Sequence, residues 1–272
     1  MHAYMCGKLL GFTRLGTVMV NHLWMDQNYL KLNEGKTEFI FFGSAQQRRK
    51  VTIPHLRVGD AHFPPVEKVR SLGLLFDANM TMKPQISNCI RSSVYQLRNI
   101  RRIREHLNPQ ATKQLVHAFI TSRLDMYNST LFGLSNSQIS RMQRIQNSAA
   151  RLVSRSRNSA HITPILKQLH WLPVRERLEY KILSLVYRLN TNQAPTYMSE
   201  MMQIYKPTRA GLRSGNDHRF FEVRARRSWG DRSFMVAAPR LWNSLPIAIK
   251  SSSNLSNFQK CLKTYLMKKA YP

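Results

Sequence analysis

The segment SQISRMQRIQNSAARLVSR, residues 137–155, holds both the pattern that decides the fold and the charges that indicate a function. Its apolar residues recur every three or four positions, a spacing that predicts an amphipathic helix with one buried face. These apolar positions are Ile139, Met142, Ile145, Ala149, Leu152 and Val153. The basic residues outside this stripe are Arg141, Arg144, Arg151 and Arg155.

The four arginines are predicted to form a row along the helix. At ~100° per residue they fall within roughly a quarter of the helix circumference. Guanidinium groups aligned without an acid among them repel one another, and phosphate is a group they bind well. A solvated basic face is the alternative interpretation, and the pattern alone leaves both open.

Helical patterns also flank this segment. One begins beyond Pro84, with apolar positions continuing to Ile103 and Leu107, and Asn108 followed by Pro109 indicates the N-cap and first turn of the next helix. Further helices are predicted from Thr163 onward and over 255–270.

The N-terminal part has a different pattern. Residues 37–76 combine Phe, Ile and Val runs with a Gly-Asp turn, which predicts short strands, with Leu72, Leu74 and Phe76 in the core. The expected fold class is therefore α+β, mainly α: a small antiparallel sheet near the N-terminus followed by many helices.

The charge balance points to an anionic partner. Among 272 residues, Lys and Arg number 42 and Asp and Glu number 14, which gives a formal net charge of +28. A free chain with this charge repels itself unless a polyanion offsets it, and nucleic acid is the first candidate. A solvated basic surface or a mitochondrial or ribosomal type of composition remains the alternative. The hydrophobic content of 43% excludes the disordered class.

A second basic segment spans residues 205–232, where the helical pattern fails and a loop with a short strand is predicted. Arginines next to aromatic rings are typical of surfaces that stack on single-stranded bases while holding phosphates. The candidate binding residues here are Arg213, Arg219, Arg224, Arg226, Arg227 and Trp229. Phe220 and Phe221 fit such a surface or the core equally well.

Several classes of protein find no support in the motifs. The three cysteines are far apart, no His or Cys pair has metal-ligand spacing, and the GxSxG, GxxxxGKS and GxGxxG motifs do not occur. We therefore expect no metal site, no small-molecule substrate and no membrane partner. The sequence shows no signal peptide or transmembrane pattern, so the expected location is the nucleus or cytoplasm.

Six strings in the chain carry a family resemblance. They are WMDQNYLKLNEGKTEFIFF (24–42), SLGLLFD (71–77), SRLDMYN (122–128), RIQNSAARLV (144–153), HITPILKQLHWLPVRERLEYKI (161–182) and AAPRLWNSLP (237–246). In their order and spacing they resemble the C-terminal part of a reverse transcriptase from non-LTR (LINE-type, jockey-like) retrotransposons. The resemblance implies a divergent leader over 1–21, a palm remnant over 22–80, a helical thumb over 81–160 and a helical C-terminal region over 161–272.

The same resemblance shows what chemistry to expect. The family's RNA-directed DNA polymerase activity uses an Asp-Asp turn upstream of the WM string to hold two Mg²⁺ ions, but all six aspartates of this chain are isolated. We therefore expect a truncated reverse transcriptase that has no cofactor of its own, binds RNA and DNA backbones without sequence preference, and is not an enzyme as it stands.

The resemblance also assigns roles to single positions. It places Lys36 near the incoming nucleotide, although a lysine that closes a turn before a strand explains that residue equally simply. It places Ser71, Leu72 and Gly73 in a hairpin that grips the primer. Two alternatives remain for the whole chain: a domesticated protein-interaction or structural module, and a pseudogene product.

Overall fold

The computed structural model describes residues 2–6, 27–29, 33–52, 55–58, 61–205, 219–225 and 230–272. Short strands come first and helices follow, so the predicted α+β, mainly α class is confirmed. The chain divides into two compact units, Met1–Asn88 and Cys89–Pro272. The helices on both sides of residue 160 belong to the second unit.

Among the described residues of the first unit, six strands form three pairs. The strands are β1 (His2–Cys6), β2 (Glu38–Phe42), β3 (Leu56–Val58), β4 (Ala61–Phe63), β5 (Lys68–Ser71) and β6 (Leu74–Asp77). The pairs β3–β4 and β5–β6 are antiparallel hairpins, as predicted, whereas β2 pairs in parallel with β1. Phe39 and Ile40 of β2 are both buried, in two separate apolar clusters, so this strand is covered on both faces.

The helices described are α1 (Ala45–Arg49), α2 (Lys83–Arg102), α3 (Pro109–Val116), α4 (Ser122–Leu124), α5 (Asn128–Leu131), α6 (Asn136–Ser154), α7 (Ile162–Gln168), α8 (Val174–Asn190), α9 (Thr196–Ser199), α10 (Phe234–Asn243), α11 (Ile247–Lys250) and α12 (Leu255–Ala270). A π-helical turn, His117–Thr121, joins α3 to α4. In the part of the chain that the structure describes, 3-10 turns lie at Glu34–Lys36, Arg104–His106 and Gly230–Arg232. None of the helices in these ranges has both the length and the apolarity that crossing a membrane requires.

Local signals explain where two of these helices start. The Asn108 side chain accepts a hydrogen bond from Ala111 N at 2.7 Å and Pro109 occupies the first turn of α3, as predicted. The Asp77 carboxylate accepts from the amides of Thr81 (3.0 Å) and Met82 (2.7 Å), directly before α2. Each cap satisfies amides that a helix start leaves without an intrahelical partner.

Aromatic packing forms the centre of the second unit. Helices α8, α10 and α12 bury Trp242, Phe258 and Tyr187, and the rings of Tyr187 and Phe258 stack at 4.3 Å between centroids. The Trp242 ring lies 5.9 Å from that of Phe258 and is fully buried. The predicted last helix, 255–270, matches α12, and its lysines Lys260, Lys263, Lys268 and Lys269 are exposed.

Leu72 does not occupy the core position predicted for it. It lies at the tip of the β5–β6 hairpin, where Leu72 and Gly73 have φ values of 48° and 82°, and it is 94% exposed. The two-residue turn requires positive φ at both positions, which moves Leu72 out of the strand alternation. Leu74 is buried as predicted, and Phe76 is partly buried against the ring of Phe42.

This turn predicts a stabilising substitution. Leu72→Asn produces the Asn-Gly pair that such turns prefer, and it removes an exposed leucine from a left-handed conformation that costs roughly 1–2 kcal/mol. We expect the opening free energy of the β5–β6 amides, measured by native-state hydrogen exchange, to rise by about 0.5–1 kcal/mol. The control Arg70→Asn introduces the same residue at an exposed strand position and should give no rise. Unchanged or weaker protection in Leu72→Asn contradicts this interpretation of the turn.

Candidate nucleic-acid interface

Helix α6 is the element that positions most of the predicted arginine row. Its buried face includes Met142, Ile145, Ala149, Leu152 and Val153, as the periodicity predicted. Two glutamines also tie α6 to the segment that leads into α8. Gln146 Nε2 donates to Leu172 O at 2.8 Å, and Gln143 Oε1 accepts from Val174 N at 2.8 Å. These two bonds fix the helix, and therefore its arginines, against α8.

The four arginines of the predicted row have different surroundings. Arg144 is exposed, whereas Arg141 and Arg151 are partly buried, and Arg151 Nη2 donates to Ala160 O at 3.1 Å. Arg155 lies beyond the helix, at a C-cap with φ of 55°. The left-handed C-cap turns the backbone away from the helical path. Arg155 was predicted to be part of the row, but at this position it does not continue it.

A pocket of about 340 Å³ lies at the C-terminal end of α6, and we call it the arginine pocket. Its wall contains five arginines: Arg101, Arg104, Arg151, Arg155 and Arg157. Leu152, Ser156 and Asn158 complete the lining, and within the described ranges the wall includes no Asp or Glu. Five arginines therefore line one concave site, with no carboxylate among the described lining residues to offset them.

Arg104 holds this pocket together. It is only 7% exposed, and its guanidinium donates to Leu152 O (3.0 Å), Val153 O (3.2 Å) and Leu107 O (2.8 Å). The carbonyls of Leu152 and Val153 belong to the last turn of α6, which lacks intrahelical donors and carries the negative end of the helix dipole. Burial lowers the pKa of Arg104, and the neighbouring charge of Arg155 lowers it further.

The position of Arg104 also explains why α2 is shorter than the apolar pattern predicted. The backbone enters the 3-10 turn Arg104–His106, which directs Arg104 inward and leaves Ile103 47% exposed. Sequence reasoning missed Arg104 because the arginine stands in a run of basic residues, RRIR, that resembles a solvated face. The only available signal was its position at the break between two helical patterns.

The second basic segment is described only in part. Arg213, Arg226, Arg227 and Trp229 lie outside the described residues. Arg219 and Arg224 are exposed, on either side of Phe220. Phe220 is 7% exposed and packs against Trp242, whereas Phe221 is 51% exposed, which resolves the two possibilities left open for these rings.

A single asparagine fixes this segment on α10. Asn243 Oδ1 accepts from Phe220 N at 3.0 Å, and Asn243 Nδ2 donates to Phe220 O at 2.9 Å and to Glu222 Oε1 at 2.8 Å. Two backbone hydrogen bonds form an antiparallel bridge between Ile204 and Phe220: Tyr205 N donates to Arg219 O, and Phe221 N donates to Gln203 O. Most of the segment for which a loop and a short strand were predicted lies outside the described residues. Arg219 and Arg224 therefore project from a backbone that the core holds in place.

Lys36 belongs to the first unit and ends the 3-10 turn Glu34–Lys36, where its side chain is exposed. Its amide donates to Asn33 O at 3.1 Å, an arrangement that closes a turn just before β2.

The described aspartates do not fit a two-metal site. Asp77 accepts three hydrogen bonds at the start of α2, Asp125 pairs with Arg177, and Asp231 pairs with Arg240. In the described part of the chain no three His, Cys, Asp or Glu side chains converge as metal ligands would.

Comparisons with known proteins identify no relative: no family model, no curated protein and no solved structure matches this chain.

The role of Arg104 leads to a stability prediction. Arg104→Ala removes three hydrogen bonds and leaves the end of α6 without its donor, so we expect the free energy of unfolding to fall by about 2–4 kcal/mol. Urea denaturation followed by tryptophan fluorescence measures this change. Arg144→Ala removes an exposed guanidinium of the same helix and should change stability by less than about 0.5 kcal/mol. Equal effects of the two substitutions would show that Arg104 does not hold the pocket.

Proposed function

We propose that this chain binds RNA and DNA through their phosphate backbones, without sequence preference, and that it is the thumb and C-terminal part of a non-LTR reverse transcriptase that does not polymerise by itself. The observation that carries the proposal is the arginine pocket, in which five arginines line one site. The net charge of +28 and the six strings that resemble the family support it.

The exposed arginines of the pocket suit the oxygens of a phosphate. Arg101, Arg155 and Arg157 are exposed at its wall, and each presents a planar fork of donors that fits the oxygens of a phosphate. Three of the five N–H donors of Arg104 already bind carbonyl oxygens, so its main contribution to the pocket is its charge. A ligand would therefore contact the exposed arginines while the buried one raises the local potential.

Lack of sequence preference follows from the groups involved. The exposed arginines of the pocket and Arg144 of α6 offer donors to phosphate oxygens, which are the same in every nucleotide. Exposed Phe221, between Arg219 and Arg224, offers a ring on which any base can stack. Binding of this kind positions a strand and carries no sequence information directly.

The proposal predicts strongly salt-dependent binding of single-stranded RNA. If about six phosphates are neutralised, the plot of log Kobs against log salt has a slope of about −4, because counterions are released. Fluorescence anisotropy with labelled RNA of several sequences measures both the slope and the sequence tolerance. A flat salt response, or a strong preference for one sequence, contradicts the proposal.

A matched pair of triple variants tests the location of the binding site. Arg101→Gln, Arg155→Gln and Arg157→Gln together should weaken RNA binding by more than about tenfold at moderate salt and make the slope shallower by about 2. The control combines Arg188→Gln, Lys260→Gln and Lys268→Gln, which removes the same charge from exposed positions on α8 and α12. It should retain affinity within about threefold. Equal losses in both variants would show that RNA affinity depends on the total charge of the chain rather than on the arginine pocket.

A further inference from the structure

A second pocket, of about 350 Å³, shares no lining residue with the arginine pocket, and much of its wall comes from one segment of the chain. Residues 169–172, between α7 and α8, and Arg177, Tyr180 and Lys181 of α8 all belong to LHWLPVRERLEYK. The rest of the lining consists of Lys113 of α3, His117 of the π-helical turn, Asp125 directly after α4, and Lys263 of α12. We call it the lysine pocket.

The lysine pocket has more positive than negative charge. Lys113, Lys181, Lys263 and Arg177 face a single carboxylate, that of Asp125, among the residues described. Arg177 Nε donates to Asp125 Oδ1 at 2.9 Å, and its Nη2 donates to Oδ2, so these two groups neutralise each other. Both side chains of the pair are 19% exposed, which shields it from solvent. The three lysines are left as the cations that a ligand can meet.

A rigid aromatic wall stands beside these lysines. Trp171 is 5% exposed, its ring lies 5.4 Å from that of His117 in an edge-on arrangement, and its indole N–H is buried without a partner among the described residues. Two hydrogen bonds hold its backbone: Trp171 N donates to Leu166 O at 2.9 Å, and Tyr271 Oη donates to Trp171 O at 3.1 Å. The wall is therefore pre-formed before any ligand binds.

His117 is the group in this pocket that can respond to an anion. Loss of hydration lowers its pKa, and the charges of Arg177, Lys113 and Lys263 lower it further, against the opposing effect of Asp125. These charged groups come from α3, the segment after α4, α8 and α12. The segment 169–172 also borders the imidazole through Trp171 and adds His170 to the pocket wall. An anion placed among the lysines would offset those charges and favour the imidazolium form.

We propose that the lysine pocket binds a phosphomonoester group carried by a nucleotide-sized ligand. Three ammonium groups supply compact charges for the phosphate dianion, and His117 adds a donor at the same site. The volume exceeds what inorganic phosphate needs and falls in the lower part of the range for small-molecule sites, roughly 300–1,000 Å³.

Isothermal titration calorimetry of the full chain with adenosine 5′-monophosphate tests this inference. We expect binding of the monophosphate, competition by inorganic phosphate at higher concentration, and no binding of adenosine. Lys113→Gln with Lys263→Gln should weaken the monophosphate by more than about tenfold. Lys181→Gln, at an exposed position, provides a second variant and should weaken it by about threefold or more.

The control separates this pocket from the arginine pocket. The triple variant Arg101→Gln, Arg155→Gln and Arg157→Gln should bind the monophosphate within about twofold of the unmodified chain, whatever its effect on RNA. Failure of the monophosphate to bind, or equal affinity in the lysine variants, would overturn the inference. Neither result depends on whether RNA binds to the arginine pocket.

Two further measurements identify the source of the phosphate and the role of His117. If a 5′-phosphorylated oligonucleotide displaces the monophosphate and the 5′-hydroxyl strand does not, the pocket binds strand ends. If neither oligonucleotide displaces it, the pocket binds free nucleotides.

At pH 7 in buffers of different ionisation enthalpy, binding should take up protons, because the bound anion raises the pKa of His117. His117→Gln should abolish this uptake, and uptake that persists in this variant contradicts the role of His117.

Discussion

The helical unit depends on one interaction, the buried guanidinium of Arg104 on the carbonyls that end α6. By donating to Leu152 O and Val153 O, Arg104 satisfies the end of that helix and fixes the segment that follows α2. A charge held by carbonyls rather than by a carboxylate remains a net charge. The neighbouring arginines are therefore gathered around a positive centre, and the end of α6 is the place where we propose that phosphate binds.

The two pockets of this unit apply the same principle with different groups. In the arginine pocket, planar guanidinium groups stand at a wall without acidic residues among those described, an arrangement suited to phosphodiesters along a strand. In the lysine pocket, the acidic residue is already neutralised by Arg177, and the ammonium groups and His117 surround a more enclosed space. The first is suited to a continuous backbone, and the second to a single, doubly charged group.

The sequence predicted the features that depend on local periodicity. Helix α6, the last helix and the Asn108 cap follow from spacing and capping, which neighbours along the chain determine. Features that depend on distant partners were not predictable. Arg104 reaches carbonyls 48 and 49 residues away, and Phe220 is buried because Asn243 and Trp242 hold it. Leu72 is a different case, because a local two-residue turn takes it out of the strand alternation that the sequence pattern predicted.

The central claim is that the positive charge of this chain, +28 by composition, is offset in use by a polyanion. The melting temperature at rising NaCl concentration, with and without a single-stranded homopolymer, tests it most directly. The account predicts that Tm rises with salt alone, as self-repulsion is screened, and that the homopolymer raises Tm by several degrees more at low salt. A Tm that stays constant in both series would contradict the account, since the cations would then need no counter-charge.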